Sequence, residues 1–212
     1  MTRIFGTHLF DSRNFRLMRI VFLAFLVVSA SAISALAAQP LKITEKTKTY
    51  SIKGQTAAQF AASMTSRGPY SRQLRRRVWA SATRSLSFRM NYRRTSGSCT
   101  NRGARVDMDI VYRMPRLASK SGVPRSQLRK WQRMYAILLT HERVHGRYYK
   151  QLARQVHKAL ARKRTAKNCS DIDRWAKALV KKMSAANVRK NLRFETRDRP
   201  NFLKMRRIYQ GT

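Results

Sequence analysis

The sequence predicts an α+β fold, in which a small antiparallel sheet packs against a long H-E-x-x-H helix and a second C-terminal helix. Two observations support this prediction. Between residues 86 and 112, apolar and polar residues alternate, as they do in half-buried strands. After residue 124, apolar residues recur at intervals of three and four, which is the spacing of one helix face. Strands followed by helices are the element pattern of an α+β domain.

The strands are predicted in the first half of the domain. Leu41 to Lys53 is rich in β-branched residues and predicts a strand, and Ala58 to Met64 predicts a short helix after a capping box. Two alternating segments, 86–92 and 104–112, flank the turn-rich stretch 96–103. Together these three segments predict a long antiparallel hairpin.

The helices are predicted in the second half. The long helix should run from about Arg125 to about Arg164, with Pro124 at its start and a bend at Gly146. A second helix should begin at Ser170, which can serve as its N-cap. Residues 191–212 are basic and show no clear periodicity, so an irregular segment is expected there.

Residues 1–37 have the composition of a secretory signal peptide. Four arginines precede an apolar run from Ile20 to Val28, and Ala35-Leu36-Ala37 fits a cleavage site. We therefore expect an exported protein, periplasmic or secreted, with one domain over residues 38–200 and a basic tail over 201–212. An uncleaved membrane anchor is the alternative.

The charge of the chain is strongly positive. The formal net charge is +38, and removal of residues 1–37, which contain four Arg and one Asp, leaves +35. A surface of this kind attracts polyanions. After export the available polyanions are anionic lipid, lipopolysaccharide and other acidic polymers of the envelope, whereas nucleic acid is not an expected partner. The alternative is a solvated basic surface that has no specific partner.

The strongest motif is the string His141-Glu142-Arg143-Val144-His145. On a helix, positions i and i+4 lie on one face, so two imidazoles can bind one metal ion while the glutamate between them accepts a proton from an activated water. The motif lies within an apolar stripe, where polar groups need partners. This stripe consists of Leu128, Trp131, Tyr135, Leu138, Glu142, His145, Tyr149, Leu152 and Val156.

A zinc site is the favoured interpretation, and a purely structural His/Glu cluster is the alternative. Catalytic zinc has three protein ligands and one open position. His141 and His145 supply two of the ligands, and Glu142 is the expected general base. On an unbroken helix His157 lies about 18 Å beyond His145, too far to be the third ligand. A carboxylate is left, and spacing alone does not choose among the candidates: Asp171, Asp173, Glu195 and Asp198.

The chain contains two cysteines, Cys99 and Cys169. An even cysteine count in an exported protein predicts a disulfide. Zinc binding by these thiols is less favoured, because neither belongs to a C-x-x-C pair.

Several segments together resemble a known family. They are Tyr50-x-Ile52-x-Gly54, Gly68-Pro69, Phe88 to Tyr92, Cys99, Tyr112-Arg113-Met114-Pro115, Trp131, Tyr135, the H-E-x-x-H string and Cys169. In these segments the chain resembles exported bacterial zinc-dependent proteases catalogued as domain of unknown function 922. Members carry a Tyr-Asp-containing segment after the second helix, and the corresponding stretch here is Phe194 to Asp198. The resemblance therefore implies Glu195 as the third zinc ligand.

The expected function is that of a zinc-dependent metallopeptidase of the cell envelope. It would hydrolyse peptide or protein substrates with a zinc-activated water and Glu142 as base. One alternative is a cationic envelope protein that holds a metal ion without turnover. Another is a polyanion-binding protein that holds no metal.

Overall fold

A computed structural model describes residues 40–210, so the predicted signal peptide lies outside the described residues. The α+β prediction is confirmed, and residues 39–212 form one compact unit. Among the helices between residues 40 and 210, none has the length and apolar character needed to cross a bilayer. The elements are β1 (Leu41–Ile52), α1 (Ala57–Arg67), β2 (Tyr70–Ser71), β3 (Arg76–Arg77), β4 (Ser81–Thr95), β5 (Ser98–Leu117), α2 (Arg125–Leu160), β6 (Thr165–Ala166), α3 (Cys169–Arg197) and α4 (Arg199–Gln210).

The central strand of the sheet is β5, which pairs with β4 on one side and with β1 on the other. The predicted hairpin is confirmed, since β4 and β5 pair antiparallel around a tight turn in which Gly97 has φ 72°. Contrary to the wholly antiparallel sheet that we expected, β1 runs parallel to β5. The reason is the connection: α1 and a short ribbon separate β1 from β4, so β1 is not joined to its neighbour by a hairpin.

The buried face of α2 packs on the sheet, as the apolar stripe predicts. Trp131, Leu138, Leu152 and Val156 are all buried in the core that β5 also lines. The helix continues through Gly146, where a bend was predicted. That glycine allows a close approach of the sheet. A Cβ atom at position 146 would lie 1.8 Å from the Tyr112 hydroxyl.

The C-terminal region departs most from the prediction. Residues 191–212 were expected to be irregular, but α3 continues to Arg197 and α4 covers most of the predicted tail. Buried Phe194 and Met205 explain the difference, because each gives its helix a core contact that the many charged neighbours obscure in the sequence. Pro200 does not prevent α4, since it lies in the first turn. The helix α3 begins at Cys169, one residue before the predicted cap.

The predicted disulfide is confirmed between Cys99 and Cys169. It joins the start of β5 to the start of α3. Asn101 strengthens the same corner, because its buried side chain donates hydrogen bonds to the carbonyl groups of Leu160 and Arg162 at 2.9 and 3.0 Å. The end of α2 is thereby attached to the sheet.

Removal of the disulfide should destabilise the domain strongly. The bond closes a loop with a sequence separation of 70 residues, and in the chain-entropy model such a loop corresponds to about 4 kcal/mol. We expect Cys99→Ala/Cys169→Ala to lower the free energy of unfolding in urea by roughly that amount. A loss below about 1 kcal/mol would show that the bond does not constrain the unfolded chain as this model requires.

Candidate metal centre

The centre lies where the middle of α2 meets the C-terminal end of α3. His141, Glu142 and His145 occupy the buried face of α2 and are 5, 4 and 7% exposed. The i, i+4 spacing on a continuous helix places both imidazoles on the same side. Glu195, near the end of α3, approaches them from the opposite helix.

The three candidate ligand atoms form a compact triangle. The Nε2 atoms of His141 and His145 are 3.1 Å apart, and Glu195 Oε1 lies 3.5 Å from the first and 3.1 Å from the second. In a tetrahedral zinc site with bonds of 2.0 to 2.1 Å, ligand atoms are separated by roughly 3.3 Å. The triangle therefore has the size that a bound zinc ion requires. Two imidazoles and one carboxylate are also a donor set of known catalytic zinc sites.

The hydrogen bonds of the other ring nitrogens fix the histidine tautomers. Nδ1 of His141 lies 2.7 Å from a carboxylate oxygen of Asp198, which can only accept. Nδ1 of His145 contacts Oδ1 of Asn191, whose amide nitrogen donates to the Asn187 carbonyl at 2.8 Å. Both Nδ1 atoms must therefore donate. In the neutral rings, both Nε2 atoms are left with lone pairs that face one another and Glu195 Oε1, an arrangement that a shared cation would stabilise.

A further layer of contacts holds these partners in place. Asn201 donates to Asp198 Oδ1 at 2.7 Å, and Asn187 donates to the Tyr148 carbonyl at 3.0 Å. Phe194 packs against both imidazoles, with ring centroids 4.8 Å from His141 and 5.2 Å from His145. The orientation of each imidazole is therefore set by one polar partner and by aromatic packing.

The electrostatics of the centre favour a positive charge within the triangle. Burial favours the neutral form of His141, but its hydrogen bonds to Glu195 and Asp198 outweigh burial and raise its pKa to about 9. Burial favours the protonated form of Glu195, but the two histidines outweigh it and lower its pKa to about 2. Without a metal ion, a proton on His141 provides the positive charge. Metal binding must displace that proton.

Glu142 has a different environment from Glu195. Burial raises the pKa of Glu142 to about 7, although the nearby histidines and a hydrogen bond from the Ala82 N–H oppose the shift. The hydroxyl of Tyr149 donates to the carbonyl of the same Ala82 at 3.1 Å. The start of β4 is thus attached to α2 through both the N–H and the carbonyl of Ala82. Two carboxyl groups whose pKa values are pushed apart in this way suit different tasks, ligand and base.

The structure places the other candidate ligands away from the triangle. Asp198 is on the far side of His141, where it contacts Nδ1 rather than Nε2. Asp171 and Asp173 lie at the start of α3, about 36 and 33 Å along the helix from Glu195, where they contact Arg174 and Tyr92 respectively.

Sequence reasoning did not find Asn191 and Asp198 as hydrogen-bond partners of the histidines, or Asn187 as the residue that orients Asn191. A signal was present, because Asn187, Asn191, Glu195 and Asp198 follow one another at intervals of four, four and three. Such spacing places polar residues along one helix face. The pattern begins before residue 191 and continues past it, so it crosses into the segment that was expected to be irregular.

The hydrogen bond that His141 Nδ1 donates to Asp198 gives a prediction about metal affinity. We expect Asp198→Asn to weaken zinc binding by roughly 10- to 100-fold, the usual effect of removing a partner of a ligating histidine. Asp173→Asn is the matched control, since it also removes a hydrogen-bonded carboxylate, one that lies on α3, contacts Tyr92 and is far from the triangle. Zinc titration against a competing chelator measures both. Equal affinities in the two variants would contradict the assigned role of Asp198.

Comparison with known proteins yields one match. A family model described as "Bacterial protein of unknown function (DUF922)" matches residues 47–201, which is more than two thirds of the chain. This range contains the sheet apart from residues 41–46 of β1, both helices of the metal centre and all three candidate ligands. No curated protein and no solved structure matches the chain.

Proposed function

Because the chain belongs to the bacterial family DUF922, whose function is unknown, we propose its activity from its metal centre: it is a zinc-dependent metallopeptidase of the cell envelope. The observation that carries the proposal is the triangle of His141 Nε2, His145 Nε2 and Glu195 Oε1, whose sides are 3.1 to 3.5 Å. Glu142, a buried carboxyl with a pKa of about 7, lies on the same helix face.

Zinc fits this donor set better than magnesium or calcium does. Magnesium and calcium prefer sites made of oxygen ligands only, whereas two of the three donors here are imidazoles. The three donors also leave a coordination position open, which is the arrangement of catalytic rather than structural zinc. When bound, zinc would polarise the scissile carbonyl and make water more acidic.

The residues of the chain would perform the proton transfers. Glu142 accepts a proton from the attacking water as the water oxygen bonds to the carbonyl carbon of the peptide. When the bond between carbon and nitrogen breaks, Glu142 returns the proton to the leaving amine, so the base is regenerated. A carboxyl whose pKa is near 7 is suited to both steps at neutral pH.

The surrounding residues would hold the two imidazoles and the Glu142 carboxyl in position. Asp198 and Asn191 hold the two imidazoles through Nδ1, which fixes the direction of both Nε2 lone pairs. The Ala82 N–H holds the Glu142 carboxyl. Burial of His141, Glu142 and His145 excludes bulk water, which strengthens each electrostatic interaction inside the centre.

Action in the envelope rests on two features. A disulfide is typical of oxidising compartments, and the N-terminal 37 residues have a signal-peptide composition. Substrates would then be peptides or proteins that are themselves exported.

The activity can be tested on a digest of envelope proteins. Protein purified without chelators should cleave peptides in the mixture, lose the activity with a chelator and regain it when zinc is added back. New peptide termini would be identified by mass spectrometry.

If zinc-loaded protein cleaves nothing in the digest or in a diverse peptide library, the alternative is favoured: an envelope protein that holds the metal without turnover. The high positive charge is the feature that favours this alternative.

A further inference from the structure

A short ribbon on the surface has a composition unlike that of the rest of the fold. Strands β2 and β3 and the turn between them, residues 70–77, form what we call the arginine ribbon. Tyr70 is 60% exposed and Leu74 is 39% exposed, although both are large apolar side chains. The arginines at positions 72, 75 and 76 are exposed beside them. Apolar and cationic side chains are therefore presented together to solvent.

The arginine ribbon is held firmly at its base. The Val78 N–H donates to the Pro69 carbonyl at 2.9 Å, and the Arg77 guanidinium donates to the Gly68 carbonyl at 2.8 Å. Gly68 is required for this closure, because a Cβ atom there would lie 2.0 Å from the Val78 carbonyl oxygen. Trp79, which follows the ribbon, donates to the Thr65 hydroxyl at 2.9 Å. The exposed side chains therefore project from a fixed support.

The charges of the ribbon are not neutralised by the protein. No acidic residue occurs between Glu45 and Asp107 in the sequence. Among residues 40–210, the structure shows no ion pair for Arg72, Arg75 or Arg76. Arg75 also has φ 54°, a backbone conformation that glycine adopts more readily. A charged side chain thus occupies the turn at a position that favours glycine.

We propose that the arginine ribbon docks the protein on an anionic lipid surface. Arginines bind lipid phosphate groups, while Tyr70 and Leu74 enter the boundary between headgroups and acyl chains. A soluble polyanion needs only the cations, so the two exposed apolar side chains favour lipid. This binding does not depend on zinc or on peptide hydrolysis, and the His141→Ala variant should retain it.

Vesicle binding by residues 39–212, the compact unit, tests the role of the arginines. Replacing Arg72, Arg75 and Arg76 with Gln should weaken binding to phosphatidylglycerol vesicles about 100-fold, at roughly fivefold per arginine. The matched control replaces Lys181, Lys182 and Arg189, three exposed cations of α3, with Gln and should bind within a few-fold of wild type. The corresponding triple Lys variant of the ribbon should restore most of the binding. Equal losses in the two Gln variants would mean that only net charge matters and would overturn the proposal.

The apolar side chains distinguish lipid from soluble polyanions. Tyr70→Ser/Leu74→Ser keeps every charge and should weaken binding to the same vesicles about tenfold, without changing retention on heparin. The control is Val188→Ser/Leu192→Ser, which also replaces two exposed apolar side chains. These residues belong to α3, outside the arginine ribbon, and are 44 and 40% exposed. Wild-type binding should also fall steeply with added salt and be absent on phosphatidylcholine vesicles. Undiminished vesicle binding by Tyr70→Ser/Leu74→Ser would overturn the assignment to lipid.

Discussion

Glu142→Gln should retain zinc near the wild-type level and lose peptide hydrolysis by roughly two to four orders of magnitude, the usual range for general acid–base catalysis. The substitution preserves the size of the side chain and one oxygen that can accept the Ala82 hydrogen bond. It removes only the capacity to accept a proton. Zinc content and kcat/KM, measured on the same preparation, separate loss of the base from loss of the metal.

Asp107→Asn is the control for this experiment, since it makes the same chemical change on a surface carboxylate that pairs with Arg105. It should keep full activity. If Glu142→Gln cleaves peptides as fast as wild type, the hydrolysis comes from another residue or from a contaminant, and the role assigned to Glu142 is excluded.

Glu195→Ala should abolish the stabilisation that zinc gives to the folded protein. A ligand that binds only the native state, at a free concentration 1,000 times its Kd, adds about 4 kcal/mol to the free energy of unfolding. Wild type should show a gain of this size when zinc is added after removal of metal. The variant retains two imidazoles and has lost the third corner of the triangle. We expect its gain to be close to zero at the same zinc concentration.

Asp171→Ala is the matched control, because it removes a carboxylate from the other end of the same helix. That variant should show the full zinc-dependent gain. Urea unfolding with and without zinc measures both proteins. If Asp171→Ala loses the gain and Glu195→Ala keeps it, the third ligand has been assigned to the wrong end of α3.

The parts of the centre that come from one helix could be predicted from the sequence. His141 and His145 are four residues apart, and helical geometry alone places them on one face. The apolar stripe around them predicted α2 because its spacing is regular over many turns. The β4–β5 hairpin was predictable for a similar reason, since alternation on both sides of a turn is a local pattern.

The parts that depend on packing between elements could not be predicted from spacing. Glu195 approaches the histidines only because α3 continues to Arg197. The many basic residues of that segment obscure the apolar spacing from which a helix would be predicted. The resemblance to a known family supplied Glu195, whereas Asn191 was not identified and Asp198 was considered only as a zinc ligand, not as the partner of His141 Nδ1. Their role depends on which face of α3 meets α2, and a single-helix pattern does not contain that information.

The position of β1 and the role of Gly146 illustrate the same limit. The alternation of residues in a strand indicates which face of β1 is buried but not which strand pairs with β1. The parallel pairing with β5 was therefore not predicted. A glycine within a helix pattern suggested a bend at position 146. The sequence does not show that Tyr112 of the sheet approaches too closely there for any larger residue. Both features depend on contacts between elements that are distant in the sequence.

The central claim is that His141, His145 and Glu195 bind one zinc ion, and anomalous diffraction at the zinc absorption edge tests it most directly. Crystals of protein purified without chelators should show one strong anomalous peak, at about 2.0 to 2.2 Å from each of the three ligand atoms. The peak should disappear in Glu195→Ala crystals grown with the same zinc concentration. A crystal without a peak among these three side chains, or a peak bound by other residues, would contradict the account.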